Sequence, residues 1–270
     1  MMARPAYFLV AVLSLAGMVR GQAPAAPDAG APQPPPPPSA APANGEGRPV
    51  SWARMAPNLL SDQKRIWLFP TQVARGRHIW PALAVLATTA VLIRTDAHTA
   101  PHFRNTTTFN GFNSVFTSKG TDMGMLVAPA SLYAAGWVFK SPYLRKTVLL
   151  AGEAVGDSEI LTVIAKDIDR RERPAVYAPY THMTDSWFSS QGSWIRGNGS
   201  FPSGHTIAAF SLATVFARRY PRQRWIPYVA YPLAALVGFS RLTLCAHFPS
   251  DVVVGGVLGY SIARFVVLRQ

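Results

Sequence analysis

The sequence predicts an all-α protein, a bundle of about six core helices. Six apolar segments of helical length follow one another, and polar or proline-containing stretches separate them. Alternating apolar and polar residues, the pattern of half-buried strands, do not dominate any part of the chain. We expect helices over residues 79–93, 124–139, 147–165, 205–217, 226–241 and 251–267. Gly255 and Gly259 in the last segment form a G-x-x-x-G pattern, which we interpret as close helix packing within the bundle.

The first 21 residues predict a secretory signal peptide. A short basic start precedes an apolar core from Phe8 to Ala16, and Gly21 offers a small residue at a cleavage point. The apolar core is short for a membrane span. We therefore expect an exported protein of the cell envelope that faces the periplasm, with an uncleaved anchor as the alternative.

Residues 22–57 predict a disordered spacer ahead of a folded domain at 58–270. The spacer is rich in proline and alanine and includes the run PQPPPPPSAAP. Such a run favours an extended, polyproline-like chain and has little to bury in a core. The apolar segments all follow this change in composition, so we expect one helical domain.

Two patterns disagree on whether this domain spans a membrane. Several apolar segments are shorter than the ~20 residues of a usual span. Segment 147–165 also carries acidic residues, among them Glu153 and Asp157, which are costly against lipid. The basic connections at 141–146 and 217–224 instead fit the cytoplasmic side of a six-helix membrane topology. We expect a largely periplasmic domain against the membrane, with an integral bundle as the alternative.

The formal net charge of +13 predicts an anionic partner. The basic residues are spread between apolar segments and form no Lys/Arg run, so phosphorylated substrates or lipid headgroups fit better than nucleic acid. The single cysteine, Cys245, excludes an internal disulfide and a cysteine-based zinc site. We expect a phosphorylated substrate, possibly with a lipid part, a membrane surface or bilayer, and no nucleic acid.

Three polar clusters at the ends of apolar segments carry the candidate chemistry. The residues of interest are Lys166 and Arg173 in KDIDRRERP, Ser203, Gly204 and His205 in PSGH, and Arg241, His247 and Asp251 in SRLTLCAHFPSD. The rest of the first cluster, with its interleaved acidic and basic residues, is interpreted as a solvated loop.

Cations and histidines in these clusters predict phosphate chemistry. Lys and Arg beside apolar segments need a shared anionic partner, and arginine holds phosphate oxygens in pairs. Ser203 suits an N-cap, and Gly204 lets the backbone approach a ligand, so the helix start would direct N–H groups at an anion. His247 and Asp251 share one face of a helix start, where a carboxylate fixes the imidazole tautomer and frees the other nitrogen to attack. His205 would protonate a leaving alkoxide.

In order and spacing, the three clusters resemble the signature of the type 2 phosphatidic acid phosphatase family over about residues 75–270. That family shares its helical core and anion pocket with bacterial class A acid phosphatases and vanadium haloperoxidases. The resemblance implies a helical bundle with the active site at one end, which faces the periplasm or lumen in membrane members. It implies a phosphohistidine mechanism in which His247 is the nucleophile, Asp251 orients it and His205 is the general acid. The phosphate-binding residues that it implies are Lys166, Arg173, Ser203, Gly204 and Arg241.

Three functions are open at this stage. The first is a metal-independent phosphatase without a cofactor, acting on lipid phosphates, pyrophosphates or small esters. The second is a vanadium-dependent haloperoxidase, because vanadate is expected to occupy the same anion pocket with His247 as its ligand. The third is a non-catalytic envelope protein that binds anionic lipid, which accounts for the net charge but not for the spacing of His247 and Asp251.

Overall fold

The computed structural model describes residues 48–178, 180–183, 186–189 and 199–269, which contain eight α-helices and no strand. The helices are α1 (Trp52–Ala74), α2 (Ile79–Arg104), α3 (Asn110–Val115), α4 (Ser118–Val138), α5 (Pro142–Asp169), α6 (Gly204–Arg219), α7 (Trp225–Thr243) and α8 (Pro249–Ser261). A 3-10 turn at Pro174–Val176 follows α5, and a π-helical turn at Ile262–Val267 continues α8. The all-α prediction is confirmed, and the six predicted segments correspond to α2 and α4 to α8.

The predicted signal peptide at 1–21 and the spacer up to residue 47 lie outside the described residues. Helix α1 begins at Trp52, inside the segment predicted as spacer and ahead of the domain start predicted at residue 58. Pro57 and Pro70 lie within this helix. Polar and charged residues, among them the run SDQKR at 61–65, interrupt the apolar residues of this region. It therefore lacks the apolar segment on which the six helix predictions rest.

Helix α1 supplies polar partners for the acidic residues of α5. Glu153 and Asp157 are fully buried. Arg48 and Asn58 contact the Glu153 carboxylate, and Gln63 Nε2 donates a hydrogen bond to Asp157 Oδ1 at 3.0 Å. Glu153 and one oxygen of Asp157 thus have partners, while Asp157 Oδ2 has none among the described residues. The acidic face of α5 therefore lies against protein and does not face lipid.

The glycines of α8 allow its close approach to α6. A Cβ atom on Gly255 would lie 2.9 Å from the main-chain oxygen of Ser203, and one on Gly259 would be closer still to that of Ile207. Any larger residue would therefore force the two helices apart. The interpretation of G-x-x-x-G as packing within the bundle is confirmed.

Helix direction separates the polar clusters from the basic connections. Helices α5 and α7 end, and α6 and α8 begin, at the end of the bundle that carries the clusters. At the opposite end the Tyr143 hydroxyl donates to the main-chain oxygen of Arg219, and Leu144 packs with Tyr220 and Ile226. The basic connections at 141–146 and 217–224 therefore lie together, away from the clusters.

Much of the apolar surface of α2 has no protein cover. Its buried residues are Asp96 and Ala100, whereas Trp80, Leu86 and Val91 are 79%, 64% and 63% exposed. In the described part of the chain, two helical stretches are long and apolar enough to cross a membrane by length and composition, Ile79–Arg104 and Pro249–Val267.

Candidate active site

Backbone hydrogen bonds tie the three polar clusters together at one end of the bundle. They run from Ala175 N to Cys245 O (2.9 Å), from Ser200 N to Arg171 O (2.7 Å) and from Ser203 N to Asp251 O (3.1 Å). Each bond joins residues that lie in or directly beside two different clusters, so residues distant in sequence form one site. Of the eight predicted site residues, Arg173 and His205 are half-buried and the others are buried.

His247 Nδ1 faces two oxygen acceptors. It lies 2.6 Å from the main-chain oxygen of Ser200 and 3.6 Å from Asp251 Oδ2. Carbonyl and carboxylate oxygens only accept hydrogen bonds, so Nδ1 carries a hydrogen and donates a hydrogen bond to the main-chain oxygen of Ser200. Nε2 keeps its lone pair, the form that a nucleophilic imidazole requires. Burial lowers the pKa of His247, Asp251 opposes this, and the charges of Lys166 and Arg173 lower it further.

The carboxylate of Asp251 has donors on both oxygens. Oδ1 accepts from Arg171 Nη1 at 2.5 Å, while Oδ2 accepts from Ser200 Oγ at 2.5 Å and Phe248 N at 2.8 Å. Its 3.6 Å separation from His247 Nδ1 exceeds a hydrogen bond. The sequence predicts that Asp251 fixes the tautomer, but the nearer acceptor is the Ser200 carbonyl, and Asp251 acts as an adjacent charge.

His205, at the start of α6, is paired with Asp122 on α4. The Nε2 atom lies 2.7 Å from Asp122 Oδ1, yet it has no hydrogen-bond partner among the described residues, so the contact is an ion-pair contact. Burial lowers the pKa of His205 to about 4, the charge of Arg241 lowers it too, and Asp122 raises it. A general acid must hold a proton, so Asp122 favours the role predicted for His205.

Lys166 and Arg173 concentrate positive charge beside His247. Burial lowers the pKa of Lys166 to about 8, and the charge of Arg173 contributes in the same direction. Burial also lowers the pKa of Arg173. Arg173 Nε has no hydrogen-bond partner among the described residues. Two cations that destabilise each other, one with an unused buried donor, favour the binding of an anion.

Arg241 is held by the beginning of α4. Its guanidinium donates to the main-chain oxygen of Phe116 at 3.0 Å, to Thr121 Oγ1 at 3.1 Å and to Ser240 Oγ at 2.7 Å. A side chain with three such acceptors is fixed before any ligand arrives. Arg241 therefore contributes a positioned charge, and α4 is part of the site.

Ser203 and Gly204 form the N-terminus of α6. Ser203 occupies the N-cap position, but its hydroxyl makes no capping bond and instead accepts from Thr206 Oγ1 at 2.9 Å. Ser203 is thus the N-cap residue as predicted, but its side chain does not accept a hydrogen bond from the first turn of the helix. A Cβ on Gly204 would lie 3.3 Å from Thr162 Cγ2, so glycine lets α6 start close to α5. The first-turn N–H groups remain suited to an anion.

Four residues that contact the candidate site were not predicted from the sequence: Asp96, Asp122, Arg171 and Ser200. The interpretation of the first cluster as a solvated loop is wrong for Arg171, which is 2% exposed. Its partners lie on α2 and α8, so local sequence offers no signal for its burial. Ser200 lies two residues before PSGH, so a search that extended this motif would have included it.

The groups that converge here suit an anion. No three His, Cys, Asp or Glu side chains of the described part of the chain come together as metal ligands would. Lys166, Arg173 and the α6 N-terminus instead offer donors and positive charge to phosphate or to vanadate, another tetrahedral oxyanion. His247 Nε2 adds a ring nitrogen with a free lone pair to this set of donors.

Comparison with known proteins connects this site to a family. Residues 147–270 match the sequence profile described as the PAP2 superfamily. The lipid A 1-phosphatase of Rhizobium etli is 30% identical over 129 residues, which is 48% of this chain and 48% of the relative. The undecaprenyl-diphosphatase BcrC of Bacillus subtilis is 29% identical over 148 residues, 52% of this chain and 68% of the relative. The chain thus spans about half the length of the lipid A 1-phosphatase that it matches.

A solved structure also aligns with the chain. It is the crystal structure of a transmembrane PAP2-type phosphatidylglycerolphosphate phosphatase from Bacillus subtilis. The alignment covers 98% of this chain and 94% of that chain, with 19% sequence identity and a TM-score of 0.39.

Proposed function

Over residues 147–270 the chain belongs to the PAP2 superfamily, and from this premise we propose that it is a phosphatase that hydrolyses lipid phosphates through a phosphohistidine. One observation carries the proposal. His247 Nδ1 faces the Ser200 carbonyl at 2.6 Å, so Nε2 keeps a lone pair beside the cations Lys166 and Arg173.

The reaction proceeds in two steps. His247 Nε2 attacks phosphorus and the bond to the ester oxygen breaks, while His205 gives its proton to the departing oxygen. Water then attacks the phosphohistidine, neutral His205 takes the proton of that water, and the P–N bond breaks to release phosphate. Asp251 stabilises the positive charge of the modified imidazole, and Lys166 and Arg173 stabilise the phosphoryl oxygens. Both bond-breaking steps use groups of this chain, so we expect no metal requirement.

A lipid-linked substrate fits the surface of the protein. The relatives named above act on lipid A and undecaprenyl diphosphate, and the exposed apolar face of α2 suits a bilayer. Asp96 and Ala100, through which α2 packs on the bundle, lie near the site end. A phosphate group anchored at the membrane surface would therefore reach the pocket without leaving the lipid layer.

The position of the basic connections supports an orientation. Residues 141–146 and 217–224 lie at the end of the bundle opposite the site. Basic connections remain in the cytoplasm as a rule. We propose that the bundle is integral to the membrane through α2 and α8 with its extension, and that the active site faces the periplasm.

The haloperoxidase alternative has the weaker support. It would use the same pocket with vanadate on His247, but the relatives described above are named as phosphatases. Peroxide-dependent oxidation of bromide that requires added vanadate, together with absent phosphatase activity, would favour it.

The test of the phosphatase is phosphate release by purified protein in EDTA. Phosphatidic acid and undecaprenyl diphosphate in detergent should be hydrolysed, and vanadate should inhibit competitively. Recovery of the protein in the membrane fraction, released by detergent but not by salt, would support the integral topology. Activity that appears only when a divalent metal is added would contradict the mechanism.

A further inference from the structure

Arg171 is a buried cation in contact with the candidate catalytic carboxylate. It is 2% exposed, and its guanidinium carbon lies 4.0 Å from the centre of the Phe248 ring and 4.4 Å from that of the Trp187 ring. Its Nη1 donates to Asp251 Oδ1 at 2.5 Å and to Ser250 Oγ at 2.7 Å. Nε donates to Ser186 Oγ at 3.2 Å. The ring contacts and these acceptors together hold the guanidinium in place.

Asp96 on α2 completes this arrangement from the other side. Its Oδ2 accepts from Arg171 Nη2 at 2.7 Å, and its Oδ1 accepts from Ser250 N at 3.1 Å. The side chain is 2% exposed on a helix whose other buried residue is Ala100. An acidic residue on an otherwise apolar and exposed helix is costly unless it is paired. Arg171 is that partner, so one ion pair docks α2 beside the start of α8.

We propose that Arg171 and Asp96 are positioning residues for the His247–Asp251 pair. Arg171 fixes the Asp251 carboxylate by occupying Oδ1, which leaves Oδ2 for Ser200 and the neighbourhood of His247. Asp96 holds Arg171 in that orientation, and its carboxylate partly neutralises the positive charge that Arg171 presents to Asp251. Neither residue touches the reacting atoms, and the pair connects the apolar helix α2 to the nucleophile.

The charge of the pair acts on His247 through Asp251. His247 also faces Lys166 of α5, Arg173 of the loop after it and His205 of α6, each of which disfavours its protonated form. Asp251 favours that form, and Arg171 weakens the effect by neutralising Asp251. Loss of the Arg171 charge should therefore raise the pKa of His247. Without the Asp96 charge, the whole charge of Arg171 acts on Asp251. Loss of the Asp96 charge should therefore lower the pKa of His247.

The experiment compares R171Q, R171K and D96N in the full chain in detergent. The first readout is the NMR titration of the protein with carbon-labelled histidine, in which H247Q assigns the His247 signal. This readout needs no turnover, so it is independent of the proposed function on which the inference rests. The second readout is the separate measurement of kcat and KM for phosphate-ester hydrolysis. E153Q is the matched control, because Glu153 is an equally buried carboxylate that pairs with Arg48.

We expect the His247 titration to move upward in R171Q and downward in D96N, and to stay near the wild-type position in R171K and E153Q. R171Q and D96N should lose between about 10-fold and 100-fold in kcat with little change in KM, because the nucleophile is misplaced while the phosphate site is intact. R171K keeps the charge but lacks the guanidinium that contacts Asp96, Ser250 and Asp251 at once. It should therefore keep the pKa of His247 near the wild-type value and retain only part of kcat.

An unchanged His247 titration in R171Q and D96N, with stability loss like that of E153Q, would overturn the inference and reduce the pair to a packing role. R171K and D96N suffice for this decision if R171Q does not fold. Turnover that persists in H247Q would instead contradict the proposed function, whatever the titration shows.

Discussion

Replacement of Asp122 by asparagine tests the assignment of His205 as the general acid. Asp122 Oδ1 lies 2.7 Å from His205 Nε2, and its charge is the one among the causes of the His205 shift that favours the protonated ring. Asparagine keeps the size of the side chain and removes the charge. The pKa of His205 should fall, and a general acid of lower pKa loses its proton at lower pH.

The size of the effect follows from distance and exposure. Two charges about 4 Å apart interact by ~1 kcal/mol in water and ~4 kcal/mol at an intermediate dielectric constant. The Asp122 side chain is 61% exposed, so solvent screens the pair and the lower figure applies. An interaction of ~1 kcal/mol corresponds to ~0.7 pKa unit. Bound phosphate adds negative charge, so the alkaline limb of kcat in the wild type lies above the pKa of free His205.

The assay is the pH dependence of kcat for a phosphate monoester in EDTA. We expect the alkaline limb to move to lower pH by ~0.7 unit in D122N and to remain in place in D122E, which keeps the charge. An alkaline limb that stays at the wild-type pH in D122N, while H205A abolishes it, would refute the pairing. A limb that persists in H205A would refute the role of His205 itself.

The remaining predictions concern the phosphate site and the helix packing. Burial and Arg173 lower the pKa of Lys166 to about 8, so kcat/KM should fall as pH rises through that value and free Lys166 loses its charge. In K166Q this limb should be absent from the pH profile, and its persistence would assign it to another group. Gly259→Ala places a methyl group against the Ile207 carbonyl and should lower the free energy of unfolding by about 1–3 kcal/mol in a denaturant titration. Gly152→Ala is the control, since its nearest neighbour would be Met55 Cε at 3.8 Å, and equal stability of the two variants would contradict the packing argument.

The bundle was predictable because most of its helices have a local signal in the sequence. Each of the six segments is rich in apolar residues over a helical length, and a polar or proline-containing stretch separates it from the next. Helix α1 was not predictable in this way, since the polar run at 61–65 interrupts its apolar residues and its partners Glu153 and Asp157 lie on α5. In the sequence these two carboxyl groups favour a domain outside the membrane, because they would be costly against lipid. In the structure they face α1, so they do not disfavour a bundle in the membrane.

In the site, too, residues within a local motif were predictable, whereas residues whose partners lie far away in the sequence were not. His247 and Asp251 were identifiable because they lie four residues apart in one short motif. The predicted helix start is only partly correct, since α8 begins at Pro249 and His247 lies ahead of it. Arg171 was not, because Asp96 and Asp251, which explain its burial, are 75 and 80 residues away in sequence. The Ser200 carbonyl that sets the tautomer of His247 is main chain, and no side-chain motif records it.

The phosphohistidine is the central claim, and trapping it is the most direct test. The protein is mixed with a substrate that carries radioactive phosphate, quenched in alkali, where phosphohistidine survives, and digested into peptides. The account predicts label on the peptide that contains His247, with no label and no turnover in H247Q. Label on another residue, or turnover that persists in H247Q, would contradict it.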